Sequence, residues 1–470
     1  MRNLFRIILL LFTYILPCVS YAQTIMSEQL RAIGLPLIEI TTVDGEEPSC
    51  DYVEHPEGAT GSSITNATKV PGRCVIWLGE NCLYDSGDYL KGESGITIKI
   101  RGNTSAYSDK KPYKMKLQKK ADLLSRNDPA FMDKDWLLLK CQKAFGNVND
   151  MNLNMLIGNK LNQMVGMTWT PQFTHVNLII NGDYRGVYLL SESIKRSEGR
   201  VNVNKDGGFI IEHDTYWWNE PVWFETSWGG KYTFKYPEDD EITNEQIDYV
   251  KGVVKAAEDA IWANNISEVW NINTLAAWLL AHDILGSSDG GGTNMYLTKY
   301  DSTPTSKLSM GPLWDFDGIM NTEGSWSACR YYASVYYHLL VKRQPFMDAY
   351  YALWDSIKSD ILTQLDNYLS SFAESEEGKA LDRAREYDQQ RWGTEYVPVQ
   401  QNVEEAMKWF VSRTAWIQAE IDKERNPTGV NELYKLRHNG VMYDLYGKQI
   451  FSTSSQQKGF FIFNGKKVIK

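Results

Sequence analysis

Three observations predict an α+β protein with a β-rich N-terminal part and a helical C-terminal part. From Leu35 to about Lys120, apolar residues alternate or run β-branched between Gly, Pro and Asn punctuation, which is the strand signature. From Asn244 onward the apolar residues fall at helical spacing instead. After the segment KERNPTG the chain returns to short strand-like runs up to Lys470.

The first strands are LPLIEITTV, RCVIWLG, GITIKIRGN and PYKMKLQ. A second β region is FTHVNLIINGDYRGVYLLSE, where NGD between two apolar runs signals a hairpin, and GGFIIEHD reads as a further strand. NEQIDYVKGVVKAAEDAIWAN and INTLAAWLLAHDIL are helices with Asn and Thr near their starts. The second of these ends at Gly286, and a Ser/Gly-rich loop follows with Asp289 and, five residues on, Asn294. A strand, MYLTKY, and the turn DSTPTS lead to GPLWDFDG, followed by the amphipathic stretches AYYALWDSIKSDILTQLDNYLSSF and NVEEAMKWFVSRTAWIQAEID. No internal repeat is visible.

The chain has 470 residues, 43% of them hydrophobic and 23% charged, an ordinary balance for a globular protein with ample core. Met1 to Ala22 reads as an export signal, with Arg2 and Arg6 ahead of the apolar run IILLLFTYILP and small residues before Gln23. That run is too short to span a bilayer, so the mature chain is expected to carry no transmembrane segment. Removing two arginines and no acids takes the net charge from −10 to −12, which disfavours nucleic acid and anionic membrane as partners. Of the five remaining cysteines, Cys74 and Cys82 could close a small loop in an oxidising compartment.

The motif LWDFDGIMN places Asp315 and Asp317 two residues apart in an apolar stretch. In an extended segment both face the same way and repel, whereas a divalent cation between them would reverse that sign. Asp before Gly is also a common turn residue, so the pair gains meaning only with Asp289 and Asn294 ahead of it. A loop Asp, an Asn five residues on and an Asp after a hairpin suit phosphoryl transfer, which needs a carboxylate to orient the attacking hydroxyl and oxygen ligands for Mg²⁺. Positive charge is available in KIRGNTSAYSDKKPYKMKL, with Arg101, Lys110, Lys111, Lys114 and Lys116. Glu192 and Glu212 are both candidates for the carboxylate that would hold a phosphate-binding lysine.

IKIRGNTS, KKPYKMKL, INGDYRGVYLLSE, DILGSSDGGGTNMYL and GPLWDFDG, taken in that order, resemble the signatures of the CotH kinase family over roughly Leu35 to Arg425. The resemblance implies an atypical protein-kinase-like domain over residues 23–425, between the signal at 1–22 and a small β module at 426–470. It implies ATP and Mg²⁺ as cofactors and a protein substrate with Ser/Thr-type hydroxyls, at the cell surface or secreted. By position, Asp289 would be the catalytic acid, and Asn294, Asp315 and Asp317 the metal ligands. Arg101, Lys110, Lys111 and Glu192 would serve the nucleotide, with the KKPY segment the best fit to the family pattern. The tail GVMYDLYGKQIF to KKVIK resembles C-terminal sorting modules of Bacteroidetes-type secreted proteins. The aromatic run TYWWNEPVWFETSW is a core-edge cluster or, with sixteen tryptophans in the chain, a sugar-stacking platform. Two other readings of the chain are a surface protein that binds glycans on a kinase-like scaffold without catalysis, and a metal-dependent hydrolase.

Overall fold

The computed structural model describes residues 26–141, 151–287, 293–320, 327, 336–426 and four short strands after 441. Residues 1–22, read from the sequence as an export signal, and Asp289 lie outside the described residues. The chain divides into two compact units, Met1–Arg413 and Thr414–Lys470.

The first unit opens with β1 (Leu37–Thr42), a small ribbon of β2 (Asp51–Val53) and β3 (Ser63–Thr65), then β4 (Val70–Leu78), β5 (Asn81–Asp85) and β6 (Ile96–Ile100). β7 (Tyr113–Ala121), β8 (Asp133–Lys140) and the hairpin β9 (Phe173–Ile180) and β10 (Asp183–Glu192) follow. Eight of these form one sheet in the order β1-β9-β10-β8-β7-β6-β4-β5. Because β1 pairs with β4 as well as with β9, seven of the strands close on themselves. Period-two alternation decides what fills the interior. Ile96, Ile98 and Ile100 of β6, Tyr113, Met115 and Leu117 of β7, and Trp136 and Leu138 of β8 all join one buried cluster. The opposite parity, Lys99 facing Lys114 across the β6–β7 pair and Lys114 facing Leu137 across β7–β8, is left for the outer face. At the β9–β10 turn, Asn181 and Gly182 have φ of 51° and 79°, the left-handed pair that a two-residue hairpin requires.

A second, antiparallel sheet has the order β12-β13-β11-β14-β15. Its strands are β11 (Phe209–His213), β12 (Trp223–Glu225), β13 (Lys231–Tyr236), β14 (Met295–Lys299) and β15 (Ser309–Met310). The helices of this unit are α1 (Met151–Met164), α2 (Asn244–Ala263), α3 (Ile266–Val269), α4 (Ile272–Leu285), α5 (Tyr337–Leu340), α6 (Gln344–Ile357), α7 (Ile361–Glu374) and α8 (Glu376–Trp392). A last helix, α9 (Val399–Arg425), spans the division between the units. The mixed fold with strands first and helices second is therefore as the sequence indicates.

Local chemistry accounts for the helix ends. Thr243 and Gln246 form a reciprocal capping box at the start of α2. Gly286, at φ 59°, closes α4, whose residues Leu275 to Leu285 are all buried, as expected of a helix apolar on every side. Asp283 accepts a 2.7 Å hydrogen bond from the Tyr350 hydroxyl of α6, and His282 stacks on Trp278 at 3.8 Å. Two helices escape sequence periodicity, α1 and α8, the first rich in Asn and the second dominated by charge. AYYALWDSIKSDILTQLDNYLSSF is broken between Ile357 and Ile361 into α6 and α7.

The Cys74–Cys82 disulfide does not form: both are free thiols. Cys74 points into the closed sheet and is fully buried, while Cys82 is exposed on β5. Strand alternation sends the two to opposite environments. In the second unit, β16 (Met442–Asp444), β17 (Gln449–Ile450), β18 (Phe460–Phe463) and β19 (Lys466–Ile469) pair in the order β17-β16-β18-β19. Among the described residues, no helix is long and apolar enough to cross a membrane.

Candidate functional site

A cleft of about 1180 Å³ lies against the outer face of β6 to β8. On that side it is lined by Lys99, Lys114 and Lys140, with Leu137 and Leu139 between them and Arg101 in the turn that follows β6. Glu212 and Asp214 at the end of β11, Lys235 of β13, Asn294 and the segment Trp314–Gly318 line it as well. Strand parity brings Lys99 and Lys114 to the first wall, and Lys140 reaches it from the end of β8; the second wall carries carboxylates together with Lys235.

Asp315 and Asp317 both line the cleft and keep partial exposure, with Phe316 between them only 2% exposed. The sequence reading that they share a side holds, though the segment is not a strand: Asp315 sits at φ 64°. Burial pushes the Asp315 carboxyl well above its ordinary pKa, and the neighbouring Asp317, which hydrogen-bonds to it, pushes it further; Arg101 only partly offsets this. Two carboxylates held together this way repel one another unless a cation joins them. Asn294, also left-handed at φ 58°, donates from its side-chain Nδ2 to Asp315 Oδ2 at 3.1 Å. Its backbone N–H donates to Glu212 Oε1 at 3.2 Å. Two carboxylates and an amide oxygen are hard donors that suit Mg²⁺, and the repulsion between the acids is what such an ion would relieve. Among the described residues no group of three or more His, Cys, Asp or Glu is arranged to hold a metal.

Phe316 is held by a close approach. A Cβ built on Gly158 of α1 would lie 2.4 Å from the Phe316 ring. Gly158→Ala, which on an open helix would add about 1 kcal/mol, is therefore expected to cost about 1–3 kcal/mol through overpacking. Urea denaturation would decide it, a gain in stability showing that the ring is not seated there.

Arg101 lines the cleft. Lys110 does not line it. Only 3% exposed, it forms a 2.5 Å ion pair with Asp388 of α8 and donates to the Cys141 carbonyl at 2.6 Å. Lys111 donates to the Ala106 carbonyl at 2.8 Å and contacts the Tyr52 hydroxyl, likewise off the cleft lining. Glu192 is fully buried, accepting from Arg126 at 2.8 Å and from the Gln172 backbone at 3.0 Å. Of the two glutamates considered, it is Glu212 that meets a lysine at the cleft, Lys235, at 2.9 Å.

The sequence reading missed Lys235, Lys140 and Lys99. Burial disfavours the Lys235 charge, but Glu212, Asp214 and Glu220 together raise its pKa above the ordinary lysine value. Burial lowers that of Lys140, with Asp317 pulling it back up. Asp214 is pushed up to about 6, first by burial and then by Glu212. Lys99 was legible from parity with Ile98 and Ile100. Lys140 and Lys235 lie on strands whose surroundings gave no alternation signal. The aromatic run is mostly a sheet-edge cluster: Phe224 is buried and stacks on Tyr232 at 5.4 Å, while Trp217 and Trp223 meet at 4.2 Å.

The family profile described as CotH kinase protein matches residues 98–417, more than half of the chain. That span runs from β6 into α9 and contains every polar cleft residue discussed here. No curated protein matches the chain.

Proposed function

Since the chain belongs to the CotH kinase family, we propose that it is an exported, Mg²⁺-dependent kinase that transfers the γ-phosphoryl group of ATP to hydroxyl groups of a protein substrate. One observation carries this reading: a single cleft opposes a cationic strand face, Lys99, Arg101, Lys114 and Lys140, to the cluster Asn294, Asp315 and Asp317.

The division of labour follows from charge. Arg101 and the three lysines bind and orient the phosphates, and their positive charge offsets the negative charge carried by the transferred group. Asp315, Asp317 and the amide oxygen of Asn294 would hold Mg²⁺, which when bound supplies further neutralisation at the phosphate oxygens. The Asn294 amide nitrogen is occupied by Asp315, which leaves the oxygen as the ligand atom. Asp289, by its place in DILGSSDGGGTN, accepts the proton of the attacking hydroxyl. That hydroxyl oxygen forms the new bond to phosphorus as the bond to the ADP oxygen breaks. Ser and Thr side chains of a protein at or beyond the cell surface are the acceptors, in keeping with the leader at residues 1–22.

The test is to supply the mature chain with Mg²⁺ and γ-labelled ATP, following nucleotide binding by calorimetry and label by gel. Wild type should bind ATP and transfer label to protein, and Asp289→Ala should bind it normally yet transfer none. Label released only to water would support a hydrolase instead. A chain that ignores ATP but is retained on glycan arrays would support a carbohydrate-binding surface protein.

A further inference from the structure

We propose that Glu212 and Lys235 are positioning residues that set Asn294 for metal binding, an inference that rests on the kinase reading for its metal but not for its geometry. Three contacts form an unbroken series. Lys235 Nζ lies 2.9 Å from Glu212 Oε2, Glu212 Oε1 accepts the backbone N–H of Asn294 at 3.2 Å, and Asn294 Nδ2 donates to Asp315 at 3.1 Å.

Each link has a reason in the fold. Glu212 is 7% exposed and sits opposite Tyr296 of β14 and Thr233 of β13, in the middle of the second sheet. Its partner arrives through a register irregularity. Ile210 pairs with Tyr236 and Ile211 with Phe234, so Lys235 has no residue opposite it on β11. Such two-against-one bulges re-aim side chains next to functional sites. Asn294 needs the help, because its backbone is left-handed at φ 58°, a conformation that a non-glycine residue keeps only when its surroundings impose it. The Glu212 carboxylate holds that backbone N–H, and with it the direction in which the amide side chain leaves the loop. Lys235 holds the carboxylate in place through their 2.9 Å contact. Neither residue needs to touch the substrate for this role.

Groups behind metal ligands typically change metal affinity by roughly 10–100-fold when removed. The experiment measures Mn²⁺ binding by electron paramagnetic resonance, with and without ATP, for wild type, Glu212→Ala, Lys235→Met and Lys235→Arg, beside urea denaturation of each. Glu212→Ala and Lys235→Met should weaken Mn²⁺ binding by roughly 10-fold or more, and Lys235→Arg should restore most of it. The weakening should not follow the order of their stabilities. Wild-type Mn²⁺ affinity in both removal variants, or losses that only track unfolding, would overturn the assignment. If wild type binds Mn²⁺ and the variants lose it while no protein is ever labelled, the phosphotransfer reading falls and the positioning pair stands. A wild type that binds no Mn²⁺ under either condition would remove both.

Discussion

Asp317→Ala is expected to reduce ATP-dependent protein labelling by about 100-fold or more, because a direct ligand should matter at least as much as the groups that position one. The same change should leave the metal-free protein at least as stable. After burial, it is Asp317, through its charge and its side-chain hydrogen bond, that keeps Asp315 well above the usual carboxylate range. A carboxyl whose folded pKa is raised destabilises the native state as pH rises from the unfolded value through the folded one. Removing Asp317 lowers the folded pKa of Asp315, so the stability gain appears above the unfolded carboxylate pKa and vanishes below it. Mg²⁺ should raise the melting temperature of wild type, since a ligand at 100 times its Kd adds about 2.7 kcal/mol, but not that of the variant. Thermal melts at pH 7.5 with and without Mg²⁺, beside labelling assays, would test both halves. An equal Mg²⁺ effect on the two proteins would show that Asp317 is no ligand.

Lys110→Met should be among the most destabilising single changes in the protein, at about 3–5 kcal/mol, the usual result of leaving one member of a buried ion pair alone. The Lys110 and Asp388 side chains are 2% and 1% exposed. Their pair ties α8 to the closed sheet, where Asp388 also accepts from the Val187 backbone at 2.8 Å and from the Tyr396 hydroxyl at 2.7 Å. The fit is close: a Cβ on Gly186, which lies at φ 101°, would come within 2.1 Å of Asp388 Oδ1. The double change Lys110→Met with Asp388→Leu should recover much of the loss, because apolar replacement of a whole buried pair is often neutral. Activity per folded molecule should be nearly unchanged in Lys110→Met at low temperature. A raised KM for ATP at unchanged stability would instead return Lys110 to the phosphates.

Lys110 and Lys140 show where local pattern stops being informative. The KKPY segment matches the family signature, yet the partner of Lys110 is Asp388, 278 positions away. Nothing near either residue announces that meeting. Glu192 and Glu212 pose the same problem: both lie in apolar strand sequences, and only their partners, Arg126 and Lys235, separate an internal brace from a cleft residue. Asp315 and Asp317 were legible because their relation is local. Two acids flanking a buried aromatic declare their common side within five residues, even though a left-handed Asp315, not a strand, realises it.

Residue order alone determined the strand-then-helix architecture, the glycine stop of α4 and the hairpin at Asn181–Gly182. These depend on backbone preference and apolar period, which act over a few residues. Tertiary structure decided which cations reach the cleft, which glutamate serves it, and that Cys74 and Cys82 stay apart. Those outcomes depend on contacts between strands and helices far apart in the chain, where burial and charge are settled by the whole fold.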